Sequence, residues 1–126
     1  MNRPDTDAVV RTYYDAWTSK DFAGAAALLD DALLVEGPIN EYSTADSFAS
    51  ALAGFGSLVS AAKLLAAMSD GDEAMLLYDL DVEGLGPLRV AEHFTVANGK
   101  ITRIRQMLDT VAVRAAGLAH PAEDMA

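Results

Sequence analysis

Few side chains in this 126-residue sequence are suited to moving a proton. His93 lies in AEHFTVANGKI (91–101), an imidazole in an otherwise apolar and small-residue run. Histidine titrates nearest neutrality, so an inward His93 would act as general acid/base or hydrogen-bond a ligand carbonyl. Its structural alternative is a core residue bonded to Tyr78 across a strand pair. Tyr13, Tyr14 and Trp17 form an aromatic stripe at helical spacing. Such stripes build cores, yet a buried Tyr hydroxyl needs a partner, and Tyr13, more than Tyr14, is a candidate donor to a ligand oxygen, with Trp17 as wall. Gln106 and Tyr78 are placed to orient a carbonyl or hydroxyl. Asp109 is either a catalytic acid or a strand-end cap, and Arg89 either clamps a carboxylate at a pocket rim or extends to solvent along its stem. Glu36 and Glu41 flank Gly37-Pro38. If Gly37 points inward, strand alternation turns Glu36 out, whereas Glu41 lies in a loop of unreadable direction.

Composition narrows the chemistry. Asp and Glu number 19 against 9 Lys and Arg, so the field of the molecule repels phosphate backbones and anionic lipid, which argues against nucleic-acid and membrane partners. No cysteine is present and only two histidines, His93 and His120, so thiolate chemistry is excluded and no metal is expected. Glycine-rich phosphate loops are missing, and no cofactor is implied. The N-terminal MNRPDTD lacks the apolar segment of a secretion signal, and a cytoplasmic protein is expected.

The elements that must position these groups follow from periodicity. Asp5 or Thr6 caps a first helix carrying Val10, Tyr13, Tyr14 and Trp17, ending near Ser19. Phe22, Ala25, Ala26 and Leu29 repeat the pattern in a shorter helix closed by Asp30-Asp31, and LLVE (33–36) reads as a strand stopped by Gly37-Pro38. Ser43 or Thr44 caps a third helix with Phe48, Ala51, Leu52 and Phe55 on its apolar stripe. From Leu58 the period becomes two. Segments 58–67, 73–82, 88–96 and 100–108, separated by SDGD, EGLGP and ANG, form an antiparallel meander. One domain spans 1–126, with a core of about 6–110 and a tail, about 119–126, expected to be disordered; VAVRAAGLA (111–119) either covers a neighbouring surface or extends the sheet edge.

Asn98-Gly99 suits a two-residue type I′ turn, which sets Val96 opposite Ile101, His93 opposite Ile104 and Glu92 opposite Arg105. A four-residue loop at Gly84 to Pro87 continues the register, with Tyr78 opposite His93 and Asp79 opposite Glu92. One sheet face then carries Asp79, Asp81, Glu92, Arg103 and Arg105. The other, with Leu76, Tyr78, Leu80, Ala91, His93, Thr95, Ile104, Gln106, Leu108 and, by parity, Arg89, should meet the helices. A single β-bulge would reverse part of a strand.

Three helices with a strand between the second and third, then a four-stranded meander, resemble the cone-shaped α+β barrel of the nuclear transport factor 2 superfamily. The order is α-α-β-α-β-β-β-β, three N-terminal helices on a curved, antiparallel or mixed sheet. RTYYDAW, ALLVEGP and HFTVANGKITRIRQMLD carry the likeness, which is nearest to the SnoaL-like group with its polyketide cyclases. The resemblance implies a deep apolar pocket, a homodimer and a small apolar or weakly polar organic ligand. Steroid isomerases of the superfamily use a helix-one Tyr, an Asp before the turn Pro and a protonated meander-strand Asp. Tyr13 matches the first, but Gly37 and Ala91 fall on the other two. SnoaL-like cyclases use a last-strand Asp supported by a His on the neighbouring strand. His93 matches that His, while Gln106 stands near the Asp position, so cyclase-type chemistry requires Asp109 to turn inward.

Two functions follow. One is a cofactor-free enzyme of isomerase, cyclase or hydrolase type, with His93 as acid/base. The other is a non-catalytic ligand-binding or dimerisation module of the same fold, favoured by Gly37 and Ala91.

Overall fold

A computed structural model describes residues 5–115, so the expected disorder of 119–126, and His120, lie outside the described residues. Helix α1 (Thr6–Thr18) starts where the Asp5 carboxylate accepts the amide of Asp7, and it turns Val9, Val10, Tyr13, Tyr14 and Trp17 into the core. Lys20, at φ 73°, breaks the helix, and its ammonium reaches the carbonyls of Gly56 and Val59. Helix α2 (Phe22–Ala26) is capped by Asp21. Strand β1 (Leu29–Glu36) begins earlier than the expected 33–36, absorbing Asp30 and Asp31. A two-residue strand β2 (Glu41–Tyr42), absent from the expected order, folds back on it. Thr44 caps helix α3 (Ala45–Gly56), which buries Phe48 and Leu52.

Strands β3 (Val59–Asp70), β4 (Glu73–Val82), β5 (Gly86–Ala97) and β6 (Lys100–Leu108) form the meander. Helix α4 (Thr110–Ala115) follows, and its Val113 is buried, so the described part of 111–119 is a helix and not an extension of the sheet edge. The sheet is mixed and open, in the order β2-β1-β6-β5-β4-β3, with β1 parallel to β6 and the rest antiparallel. Helices α1 and α3 pack on one face of this curved sheet, making an α+β fold.

The register departs from expectation at two places, with consequences for every side chain on β5. Asn98 (φ 54°) and Gly99 (φ 76°) do form the positive-φ turn, and Val96 pairs with Ile101. A β-bulge then intervenes: Thr95 pairs with Arg103, so His93 faces Arg105 and Glu92 faces Gln106. The bulge lets both Ile101 and Ile104 point into the core. Between β4 and β5 only Glu83, Gly84 and Leu85 lie outside the pairing, since Val82 meets Gly86. An odd loop in place of an even one exchanges the faces of β5. Tyr78 pairs with Val90 and Asp79 with Arg89. Leu88, Val90, Glu92, Phe94 and Val96 are buried, whereas Arg89, Ala91, His93 and Thr95 take the other face.

Candidate functional site

Between the helices and the inner sheet face lies a cavity of about 470 Å³. Its walls are aromatic and aliphatic: Tyr13 and Trp17 come from α1, Phe48 and Phe55 from α3, Tyr42 from β2, Tyr78 and Leu80 from β4, and Leu88 and Val90 from β5. Alternation along β4 and β5 puts these residues on one face, and the α1 stripe closes over them. The volume falls in the usual range for small-molecule sites, and the composition, mostly apolar with few polar groups, is also typical.

The polar end is built by three neighbouring strands. Glu92, at 2% exposure, is one of two buried polar or charged residues among those described. Its Oε1 accepts from the Tyr78 hydroxyl at 2.7 Å and its Oε2 from Gln106 Nε2 at 2.8 Å. Burial pushes the Glu92 carboxyl above its ordinary range, and the two hydrogen bonds only partly oppose this. The same burial, then the charge of Glu92, raises the hydroxyls of Tyr13 and Tyr78 well above theirs. Tyr14 is raised by burial, then by Asp15 and Glu92. These phenols therefore stay neutral donors, while Glu92 can exchange a proton nearer neutrality than a solvated carboxyl can.

Of the residues expected in the site, Tyr13, Trp17, Tyr78 and Gln106 are brought together. Tyr14 is buried behind the wall, its ring 5.1 Å from that of Tyr78 and its hydroxyl without a partner. His93 does not face the cavity. The odd β4–β5 loop places it on the outer face, where Nε2 lies 2.6 Å from Glu73 Oε1. Arg89 is turned out by the same parity and holds Asp79 through two bonds of 2.7 and 2.9 Å. Asp109 is exposed and caps α4, accepting the amide of Val111 at 3.0 Å. Glu36 faces outward as its alternation required; hydrogen bonding to Arg103, foremost, holds its carboxyl below the ordinary range.

Glu92 is the group that the hairpin register misplaced. The signal was present in the strand: in LRVAEHFTV (88–96) the bulky apolar residues Leu88, Val90, Phe94 and Val96 share the parity of Glu92, not of His93. At Gly37 a β-carbon would lie 3.0 Å from Gln106 Oε1 and 3.1 Å from the Asn40 carbonyl oxygen. That corner has no room for a side chain without rearrangement. Among the described residues, no cluster of three or more His, Asp or Glu is arranged to hold a metal, and no helix is long and apolar enough to cross a membrane.

A curved mixed sheet with helices over one face and an apolar cavity between them defines a nuclear transport factor 2-like α+β protein. Residues 10–104 match the SnoaL-like domain model, and the chain belongs to that family. Among solved structures it is similar to a protein of known function from Kribbella flavida DSM 17836, with 27% identity, TM-score 0.83, and coverage of 95% of this chain and 97% of that one. An NTF2-like protein of unknown function from Cytophaga hutchinsonii ATCC 33406 shares 16% identity at TM-score 0.77, over 90% of this chain and 97% of that one. An LEH-like epoxide hydrolase from M. tuberculosis shares 21% identity at TM-score 0.74, over 90% of both chains. Comparison with curated proteins gives no match.

Proposed function

We propose that the chain is a cofactor-free enzyme acting on a small organic molecule with an apolar body and one polar group, by proton transfer to or from Glu92. The observation that carries this reading is a carboxyl held out of water at the end of an aromatic cavity by Tyr78 and Gln106. Desolvation makes Glu92 a stronger base when ionised and a usable acid when neutral. Tyr13 lies on the same cavity wall, where its neutral hydroxyl is a donor for oxygen charge developing on a substrate. The epoxide hydrolase likeness supports the isomerase, cyclase or hydrolase class at the level of fold alone.

A panel of small ketones, lactones and epoxides, ranked first by thermal shift and then by turnover, tests the reading. Glu92→Gln should lower turnover of an accepted compound by about 100-fold or more, with folding retained. Unchanged turnover would refute it. A non-catalytic binding module is the second reading, favoured by Gly37, which brings no base to the corner beside Gln106.

We also propose a homodimer through the outer sheet face. Met68, Met75 and Met107 are exposed there, between the pairs Asp79–Arg89, Glu73–His93 and Glu36–Arg103. On this face Arg89, Arg103 and Arg105 offset Asp79 and Glu36, so these pairs add no local repulsion to that of two copies of net charge −10. Light scattering behind size exclusion should report a dimer for the native chain and a monomer for Met107→Glu; a native monomer would end the proposal.

A further inference from the structure

Glu92 stands at the polar end of the cavity. The Tyr78 hydroxyl and one N–H of Gln106 Nε2 are spent on Glu92. Because Nε2 is committed, Gln106 Oε1 points the other way, toward the corner at Gly37 that the Asn40 carbonyl oxygen also faces. Glu92, Gln106 and Asn40 all line the cavity. Among the described lining residues Glu92 alone is charged when ionised, and no Lys or Arg stands among them. When Glu92 ionises, its carboxylate is buried with no cation among the described lining residues, and a ligand can supply one.

We propose that the cavity takes an organic cation, a molecule with an apolar body and a basic nitrogen, seated with the nitrogen against Glu92. Ring faces of the kind that Tyr13, Trp17 and Tyr42 bring to the wall attract ammonium groups as well as hydrocarbon. The molecule's net charge of −10 raises the local concentration of cations. The groups facing Glu92 are Tyr13 and Tyr14 from α1, Tyr78 from β4 and Gln106 from β6, none of which carries charge at neutral pH. Two proton routes balance. A neutral amine takes the Glu92 proton, breaking O–H and forming N–H, or an ammonium binds as that proton leaves to water. Cation binding by the carboxyl stands whether or not the site is catalytic.

The test compares naphthylmethylamine, naphthylmethanol and naphthoate by calorimetry on the full chain, at high salt to suppress binding to the acidic surface. The amine should bind at least about tenfold more tightly than the alcohol, as expected for a hydrogen-bonded charge, and naphthoate should not bind. Amine affinity should rise with pH through the range in which Glu92 ionises, above that of a solvated carboxyl. Glu92→Gln should erase the preference for amine over alcohol. Equal or tighter binding of the alcohol by the native chain, a measurement needing no variant, would overturn the proposal, as would a preference that survives Glu92→Gln. If Glu92→Gln abolishes turnover of a ketone or epoxide while the native chain shows no amine preference, the cation proposal falls and the acid/base reading stands.

Discussion

Replacing Glu92 by Gln gives a stability difference whose sign depends on pH. In the folded chain burial raises the Glu92 carboxyl above its ordinary value; in the unfolded chain it titrates near about 4.3. Between those two values the native state holds a proton that the unfolded state has released, so stability falls as pH rises through the window. Below the unfolded value both states are protonated and no penalty applies. Each unit of upward shift costs the native chain about 1.4 kcal/mol once pH exceeds the folded value. Glutamine cannot ionise and escapes that loss. It brings an amide in place of an acceptor, so Gln106 must turn over or lose its bond at a pH-independent cost of about 1 kcal/mol. Urea unfolding of both proteins from about pH 4 to about pH 8 separates the two effects, because all other titrating groups are common to both. The variant should gain on the native protein with rising pH, its urea midpoint moving upward relative to the native one. Parallel stability curves would show that Glu92 titrates alike in both states, and Glu92 would lose its place as the proton-exchanging group.

Three further substitutions probe the neighbours. Tyr78→Phe removes the 2.7 Å donor that lowers the Glu92 carboxyl, so the pH window should extend upward, with a loss of about 1–3 kcal/mol in urea melts for the unsatisfied acceptor. His93→Ala should leave ligand affinity and turnover unchanged in the same panel, because His93 stands on the outer face against Glu73; a tenfold loss would contradict the β4–β5 register. Phe94→Ala empties a fully buried site edge-on to Tyr13 and should lower stability by about 3–5 kcal/mol by urea titration.

Much of this molecule is legible from periodicity and turn chemistry. The α1 stripe, a cap for α3 at Ser43 or Thr44, the Asn98-Gly99 turn and the inward side of β4 all follow from local rules that tertiary packing reinforces. What is not legible in this way depends on counting residues between strands. The SnoaL-like resemblance carries the cavity and Tyr13, yet it points to His93 and Asp109 as the proton-carrying groups, and both face away. The Gly84–Pro87 cluster contains two positive-φ glycines, Gly84 and Gly86, but Gly86 already pairs with Val82, so the loop is one residue shorter than the cluster.

That single residue decides which β5 side chain meets the cavity. Two rules compete over β5: register carried along a hairpin, which accumulates every loop and bulge error, and alternation within the strand, which depends on no neighbour. Turning Leu88, Val90, Phe94 and Val96 to solvent in order to bury His93 would expose four large apolar side chains, at about 1.5–3 kcal/mol each. Burying Glu92 instead costs the desolvation of one carboxyl, which Tyr78 and Gln106 and a proton relieve. The hydrophobic contribution is the larger, so an acid is carried into the core by its neighbours' parity. The strand thus sets a desolvated carboxyl on the cavity wall, which is the group that the proposed proton transfer requires.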